Sequence, residues 1–267
     1  MPLSICATPI GNLDDVTVRV LRELAEADLV LCEDTRRTRQ LLARHGVSAR
    51  LVSYHAHNEA RRTREVVPRL AAGERMALVS DAGLPGINDP GARLIDAALV
   101  AGIAVTVLPG PSAVETALVA SGLVSERYQF LGYLPRGAER RRALWEELSR
   151  WPWAAVAFES PQRLPRSLAG LADTMPNRPA AVCRELTKAF EEVIRGTAAE
   201  LARQFAEPPR GEVTLVVGPA DVPVASGADA LSAVAELVAA GVPRRGAAEV
   251  VSRLTGVSRN VLYRSSL

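Results

Sequence analysis

The chain is poor in aromatic residues, in cysteine and above all in lysine. Only 4% of its 267 residues are Phe, Trp or Tyr although 48% are hydrophobic, so its cores rest on Ala, Val and Leu. The cysteines, Cys6, Cys32 and Cys183, are odd in number and far apart. No C-x-x-C pair exists, which argues against a cysteine zinc site, and the three read as small buried hydrophobes in a reducing compartment. No window approaches the length of an apolar membrane span, and no basic leader precedes an apolar stretch, so a soluble cytoplasmic protein is expected. The formal charge is only +2, too small to indicate nucleic acid by itself. The two common phosphate-binding fingerprints, G-x-G-x-x-G and G-x-x-x-x-G-K-[ST], are also missing. All but one of the 32 basic residues are arginine, and the exception is Lys188. A lysine kept in so arginine-rich a chain suggests a position where a compact charge cannot be exchanged for a planar fork.

What is present is an alternation of short apolar runs with longer segments of helical spacing. Strands are predicted at Leu3–Ala7, Leu29–Cys32, Leu51–Ser53, Met76–Val79 and Ala104–Leu108. Helices are predicted at Thr17–Ala27, Thr35–Arg44, Glu59–Ala72, Arg93–Ala101 and Ser112–Ser121. Strands alternating with helices imply an α/β fold around a mostly parallel, covered sheet. A second unit starts near Arg127, with strands at Tyr128–Leu131, Ala154–Phe158, Ala180–Cys183, Glu191–Arg195 and Val213–Val217. Its helices are predicted at Ala138–Ser149, Pro161–Ala172 and Ala198–Phe205. The stretch Pro219–Gly227 reads as a linker. Beyond it, Asp229–Ala240, Arg244–Leu254 and Arg259–Arg264 have helical spacing, the last two around a Gly-containing turn, a helix-turn-helix candidate with a basic surface. A small bundle with solvated arginines is the competing reading.

The segment Ser80–Gly91, S-D-A-G-L-P-G-I-N-D-P-G, is the most informative stretch. It leaves a buried strand and enters a helix, and its glycines and short acceptors, Asp81 and Asp89, suit close approach of a ligand. A tight strand-helix connection, with Asp89 or Pro90 opening the helix, would also explain it. Three other strand ends are unusual. The turn Thr8–Leu13 follows the first strand. Leu108-Pro109-Gly110-Pro111-Ser112-Ala113 leads into a helix that Ser112 can cap, leaving N–H groups for an anion. Glu33-Asp34-Thr35-Arg36 ends the second strand, where the carboxylates either do acid-base work or cap the basic helix. His55 and His57, on an extended segment, would share a face but lack a third metal ligand. Arg184-Glu185-Leu186-Thr187-Lys188 places the lone lysine among ionisable groups just past a strand, in a cleft or in a structural ion-pair network.

These segments, together with His57-Asn58-Glu59 and Glu159-Ser160-Pro161, occur in one order that closely resembles the tetrapyrrole methylase superfamily, within it the branch that methylates small-subunit ribosomal RNA. The likeness spans residues 3 to 218, and the helical tail is similar to that branch's small carboxy-terminal domain. The resemblance implies two α/β domains, 1–121 and 122–222, with the cofactor in the cleft between them, a helical domain at 223–267, and a homodimer. It implies S-adenosylmethionine-dependent 2′-O-methylation of a cytidine ribose in the 16S RNA of the 30S subunit. Ile10, Asp81, Leu84, Ser112 and Ala113 fall at cofactor-contact positions of the first domain, Glu185 and Thr214 at those of the second. The family more often has a hydroxyl residue where this chain has Leu84, so contact there rests on backbone.

A ribose hydroxyl is a poor nucleophile while protonated, so a base or a stabiliser of the developing oxyanion is expected. Lys188 is the candidate, as a neutral base with lowered pKa or as a cation, with Glu33 and Asp34 as rival bases. Candidate phosphate contacts are Arg36 and Arg37 (with Arg39 and Arg44 on the same helix), Arg140 and Arg141 (with Arg142), and Arg244, Arg245 and Arg259 of the tail. The alternatives are a relative that methylates a tetrapyrrole precursor or a protein residue, and a non-enzymatic nucleic-acid-binding module.

Overall fold

The structure, a computed structural model, describes residues 2–220 and 227–265. The predicted linker lies largely outside the described residues. In chain order the first half holds β1 (Leu3–Cys6), α1 (Val18–Glu26), β2 (Leu29–Cys32), α2 (Thr35–Arg44), β3 (Leu51–Ser53), α3 (Glu59–Ala71), β4 (Met76–Val79), α4 (Ala92–Val100), β5 (Val105–Leu108) and α5 (Ala113–Ser121). The strands form one parallel sheet in the order β3-β2-β4-β1-β5. In β1, β2 and β4 every residue is buried, as expected of strands covered on both faces. Alternate side chains serve two cores. Leu3, Ile5, Leu29, Leu31 and Leu78 pack under α3 and α4, while Cys6, Val30, Cys32, Ala77 and Val79 pack under α1 and α2. Ser4, buried among them, donates a hydrogen bond to Glu23 Oε1 at 2.7 Å, which removes the cost of its polar atom.

The second half holds β6 (Tyr128–Tyr133), α6 (Ala138–Ser149), β7 (Ala154–Glu159), α7 (Leu164–Thr174), β8 (Pro179–Arg184), β9 (Glu192–Thr197), α8 (Ala198–Gln204) and β10 (Val213–Val217). Its sheet runs β6-β7-β10-β8-β9 and is mixed: only β6 and β7 are parallel. One face carries α6, α7 and α8 over Trp145, Leu168, Leu201 and Leu215. Residues 161–163 form a turn, so α7 starts three residues later than Pro161 predicts. The other face is covered by α5: Val114, Ala117 and Leu118 pack with Ala154, Val156, Ala181, Cys183 and Val216. The Arg195 guanidinium of β9 donates to the Ser121 carbonyl at 2.8 Å and to that of Ala120, closing the end of α5. Because α5 shares its core with the second sheet, residues 1–219 form one compact unit and 220–267 another.

The second unit consists of α9 (Gly227–Ala239), α10 (Arg244–Thr255) and α11 (Arg259–Ser265). Ala230, Val234, Ala247, Ala248, Val251 and Leu262 make its core. Gly256, at φ 75°, ends α10 in the left-handed region that glycine tolerates. No helix among the described residues is long and apolar enough to cross a membrane.

Candidate active site

In an open parallel sheet, ligands bind beyond the carboxyl ends of the strands. Here the loops after the adjacent strands β1 and β4 are locked together. Thr8 N–H donates to the Gly83 carbonyl at 2.8 Å and Gly83 N–H returns a bond to the Thr8 carbonyl at 3.0 Å. The Thr8 hydroxyl adds a bond to the Ser80 carbonyl at 3.1 Å. Asp81 ties in β2 by accepting from the Asp34 N–H at 2.9 Å. The loop after β5 fits as closely: a Cβ on Gly110 would come within 2.9 Å of Ala7 Cβ.

From the second sheet, the seven-residue hairpin loop 185–191 between β8 and β9 reaches the same place. Gly11 accepts it only because it has no side chain: a Cβ there would lie 2.6 Å from Lys188 Cγ and 2.7 Å from the Leu186 carbonyl oxygen. Asn12 N–H donates to Thr187 Oγ1 at 2.9 Å. Glu185 and Thr187 both hold left-handed backbone, at φ 49° and 64°. Such conformations cost roughly 1–3 kcal/mol each and persist where the surroundings impose them, often at functional sites.

These loops enclose two cavities. The larger, of about 750 Å³, is walled by residues from both sheets, among them Leu84, Asp89, Ala113, Tyr133, Phe158 and Thr214. The smaller, of about 270 Å³, is more polar and includes Arg37, Asp81 and Lys188. Ile10, Ala82 and Glu212 belong to the walls of both. The larger volume lies within the range of about 300–1,000 Å³ usual for small-molecule sites, and its mostly apolar lining with few polar groups is the usual composition.

The predicted cofactor residues divide. Ile10, Leu84, Ser112, Ala113 and Thr214 line the larger cavity. Ser112 occupies the cap position of α5 but makes no side-chain cap bond; its hydroxyl donates to Glu115 instead. Asp81 lines only the smaller cavity. Glu185 lines neither: its carboxylate accepts from Glu212 N–H at 2.8 Å and from Lys188 Nζ at 2.9 Å. Those two bonds hold its pKa below the ordinary carboxylate value. Glu185 therefore braces the loop from behind.

The predicted catalytic residues divide as well. Lys188 donates to Glu185 and to Glu212, each at 2.9 Å. Burial works against its charge, but the two carboxylates outweigh it and raise the pKa above the ordinary lysine value. The two ion pairs favour the cation over the neutral base with lowered pKa. Asp34 caps α2, accepting from Arg36 N–H at 2.8 Å, and pairs with the Arg36 guanidinium at 2.7 Å, which holds its carboxyl far down. Glu33, half-buried, is pushed up by burial and by Asp81, yet it lines neither cavity. The thiol of Cys183 borders the larger cavity but burial pushes it up to about 12, so it is inert as a nucleophile.

Among the predicted phosphate contacts, Arg36, Arg37 and Arg140 are exposed, and Arg37 approaches Asp81 at 3.6 Å beside the smaller cavity. Arg141 is a correction: it is buried, and its guanidinium donates to the Pro135 and Arg136 carbonyls at 3.2 and 3.4 Å. Helical periodicity turns this member of the arginine run inward. In the tail, Arg245 and Arg259 are exposed and Arg244 is half-buried. The histidine pair is also corrected. His57 stands in a turn, with the two rings 6.0 Å apart edge to face, and the described residues contain no group of three metal-ligating side chains. Neither Asp89 nor Pro90 opens a helix, since α4 begins at Ala92. Asp89 instead borders the larger cavity, a role that the density of short acceptors in its loop signals. Glu212 and Tyr133 carry no comparable signal in the sequence; the pairing of β10 with β8 and of β6 with β7 brings them in.

The family model for tetrapyrrole (corrin/porphyrin) methylases matches residues 2–202. A ribosomal RNA small subunit methyltransferase I of Mesorhizobium japonicum is 43% identical over 99% of this chain and 91% of its own length. A protein of the same name from Halalkalibacterium halodurans is 45% identical over 80% of this chain and 75% of its own length. Among solved structures, a uroporphyrin-III C-methyltransferase of Thermus thermophilus complexed with S-adenosylhomocysteine shares the fold, with TM-score 0.58 and 19% identity over 81% of this chain and 96% of that one. A fold of two sheets with a shared cleft, a family model over most of the chain and relatives aligned nearly end to end agree: the chain belongs to the tetrapyrrole (corrin/porphyrin) methylases, in the branch of the ribosomal RNA small subunit methyltransferase I proteins.

Proposed function

We propose that this chain methylates the 2′-hydroxyl of a cytidine in the 16S RNA of the 30S subunit, with S-adenosylmethionine as methyl donor. The observation that carries the reading is the pair of adjoining cavities, one large and mostly apolar, one small and polar with the only lysine in its wall. The names of the near relatives support ribosomal RNA as the acceptor. The larger cavity suits the donor: glycines at 83 and 110 let backbone approach a ligand, and the apolar walls suit a nucleoside. Ile10, Leu84, Ser112, Ala113 and Thr214 would hold it there.

Bound S-adenosylmethionine supplies an activated methyl group. The chain's own residues must orient the acceptor hydroxyl and handle one proton. Lys188, a cation beside the smaller cavity, stabilises charge developing on the acceptor oxygen. Glu185 and Glu212 keep it protonated and aimed. Arg37 beside that cavity, with Arg36 and Arg140 outside it, meets phosphates. The tail arginines Arg244, Arg245 and Arg259 are further phosphate contacts on the helical unit. The reading includes a homodimer, to be checked by sedimentation, and a cytoplasmic setting follows from a ribosomal substrate.

The experiment is transfer of label from S-adenosylmethionine to 30S subunits that lack the modification, followed by mapping of ribose methylation. Label on one cytidine ribose is expected. Cofactor binding without label on subunits or on free RNA would refute the reading and direct attention to a tetrapyrrole acceptor.

A further inference from the structure

We infer that the donor cavity sorts its ligands by charge. Asp89 keeps an uncompensated negative charge in the wall, so the site holds the sulfonium of S-adenosylmethionine and releases S-adenosylhomocysteine once the methyl group has left. The inference rests on the functional reading above and deepens it.

The chain is rich in arginine, yet among the described residues no lysine, arginine or histidine lines the larger cavity. Its charged wall consists of carboxylates alone: Asp89, Glu115, Glu159 and Glu212. Two of these are neutralised. Glu159 is buried against the Arg163 guanidinium at 2.5 Å, and Glu212 meets Lys188 at 2.9 Å. Glu115 accepts from the Ser112 and Tyr128 hydroxyls and is exposed, where water weakens its field.

Asp89 is half-buried, and no basic side chain among the described residues acts on it. The groups that face it are Asp81 and the Ser80 hydroxyl from its own loop, Glu33 from the end of β2 and Tyr133 from the end of β6. Glu33 and Asp81 add negative charge instead of offsetting it. Nor can the carboxylate easily turn away, because its loop is pinned on both sides. Asn88 holds left-handed backbone at φ 59° and sits against Gly132, where a Cβ would come within 2.9 Å of Asn88 Oδ1. Gly91, at φ 142°, packs so closely that a Cβ would lie 2.9 Å from Leu78 Cδ2.

A partly buried carboxylate without a counter-charge is unfavourable, and a cation in the cavity relieves it. Transfer moves the methyl carbon from sulfur to the 2′ oxygen; the bonding pair stays on sulfur and the hydroxyl proton ends in water. The donor's positive charge is gone, and the product is a neutral thioether. Opposite unit charges about 6 Å apart at an effective dielectric of about 20 shift an equilibrium about 100-fold, and solvent screening reduces this. Because the sulfonium charge fades in the transition state, Asp89 strengthens donor binding and not the chemical step.

The test is calorimetric affinity for S-adenosylmethionine, for S-adenosylhomocysteine and for a non-reactive analogue with an ammonium in place of the sulfonium, in wild type, Asp89→Asn and Asp89→Glu. Wild type should prefer the two cations over the thioether by about tenfold or more at pH 7.5. Asp89→Asn should bring that preference within about threefold by weakening the cations alone, and Asp89→Glu should keep it. Wild-type affinity for the donor should fall as pH drops from about 7.5 to about 5, as Asp89 takes up a proton near about 6, and the Asn variant should lose that fall. In single-turnover transfer to unmodified 30S subunits, the Asn variant should lose rate at limiting donor and recover it as donor is raised. Equal wild-type affinities for donor and product overturn the inference, as does an Asn variant that keeps the preference or whose rate stays low at saturating donor. Label on 30S subunits from a wild type without the preference would sink the inference alone. A wild type that binds none of the three compounds would sink the functional reading and the inference with it.

Discussion

At the scale of single residues, Lys188 and Asp89 have opposite electrostatic settings. Lys188→Met should lower single-turnover methyl transfer by about 100-fold or more while sparing cofactor binding, the size of effect seen when a transition-state charge loses its stabiliser. A wild-type rate in that variant would remove the ammonium from the mechanism. Asp89 makes a prediction that needs no substrate. Its folded pKa of about 6 lies above the ordinary 3.8, so the folded state holds its proton more tightly than the unfolded one. Ionising it therefore weakens the fold, and stability falls as pH rises from about 4 to about 6. Asp89→Asn should stabilise the protein by about 1–3 kcal/mol at pH 7.5 and by nearly nothing at pH 3.5, measured by urea unfolding at the two pH values. Equal effects at both would show that the carboxylate is not destabilised by its setting. The importance of Lys188 is legible in the sequence because it is the sole lysine. Its charge state is not, because Glu212 is supplied by a distant strand end. The same holds for Asp89, whose partners Glu33 and Tyr133 come from the ends of β2 and β6.

At the scale of elements, the alternation of strand and helix is readable because each central strand of the first sheet is a fully buried run of four residues, all apolar except Ser4. The pairing of the second sheet is not. Local pattern identifies β8 and β9 as strands but does not show that 185–191 closes a hairpin between them, because the loop lacks a short Gly-containing turn. Nor does it show that α5 changes allegiance and covers the second sheet. The contact between the loops after β1 and β8 is testable. Gly11→Ala places a Cβ against Lys188, Thr187 and the Leu186 carbonyl. The backbone oxygen cannot move away as a flexible side chain can, so a loss of about 1–3 kcal/mol in denaturant unfolding is expected. Activity should fall further than stability alone explains, since the displaced loop carries Lys188. A variant with unchanged stability would mean that the two loops do not meet this closely.

At the scale of the whole molecule, residues 1–219 and 220–267 have separate cores. A chain ending at Pro219 should fold and bind S-adenosylmethionine, yet bind the 30S subunit with a weaker salt dependence. If Arg244, Arg245 and Arg259 meet phosphates, the slope of log affinity against log salt should become shallower by about two to three, read from filter binding over a salt series. An unchanged slope would take the tail out of the RNA interface. The composition has one further consequence. Because arginine supplies every other basic side chain, the molecule has a single side-chain amine, and it stands in the wall of the smaller cavity. Amine-reactive chemistry, which normally scatters over a protein surface, has one internal address here. A reductive methylation reagent read by mass spectrometry becomes a footprint of that cavity: slow while Glu185 and Glu212 hold the ammonium, slower still when an acceptor fills the space, and faster once either carboxylate is removed.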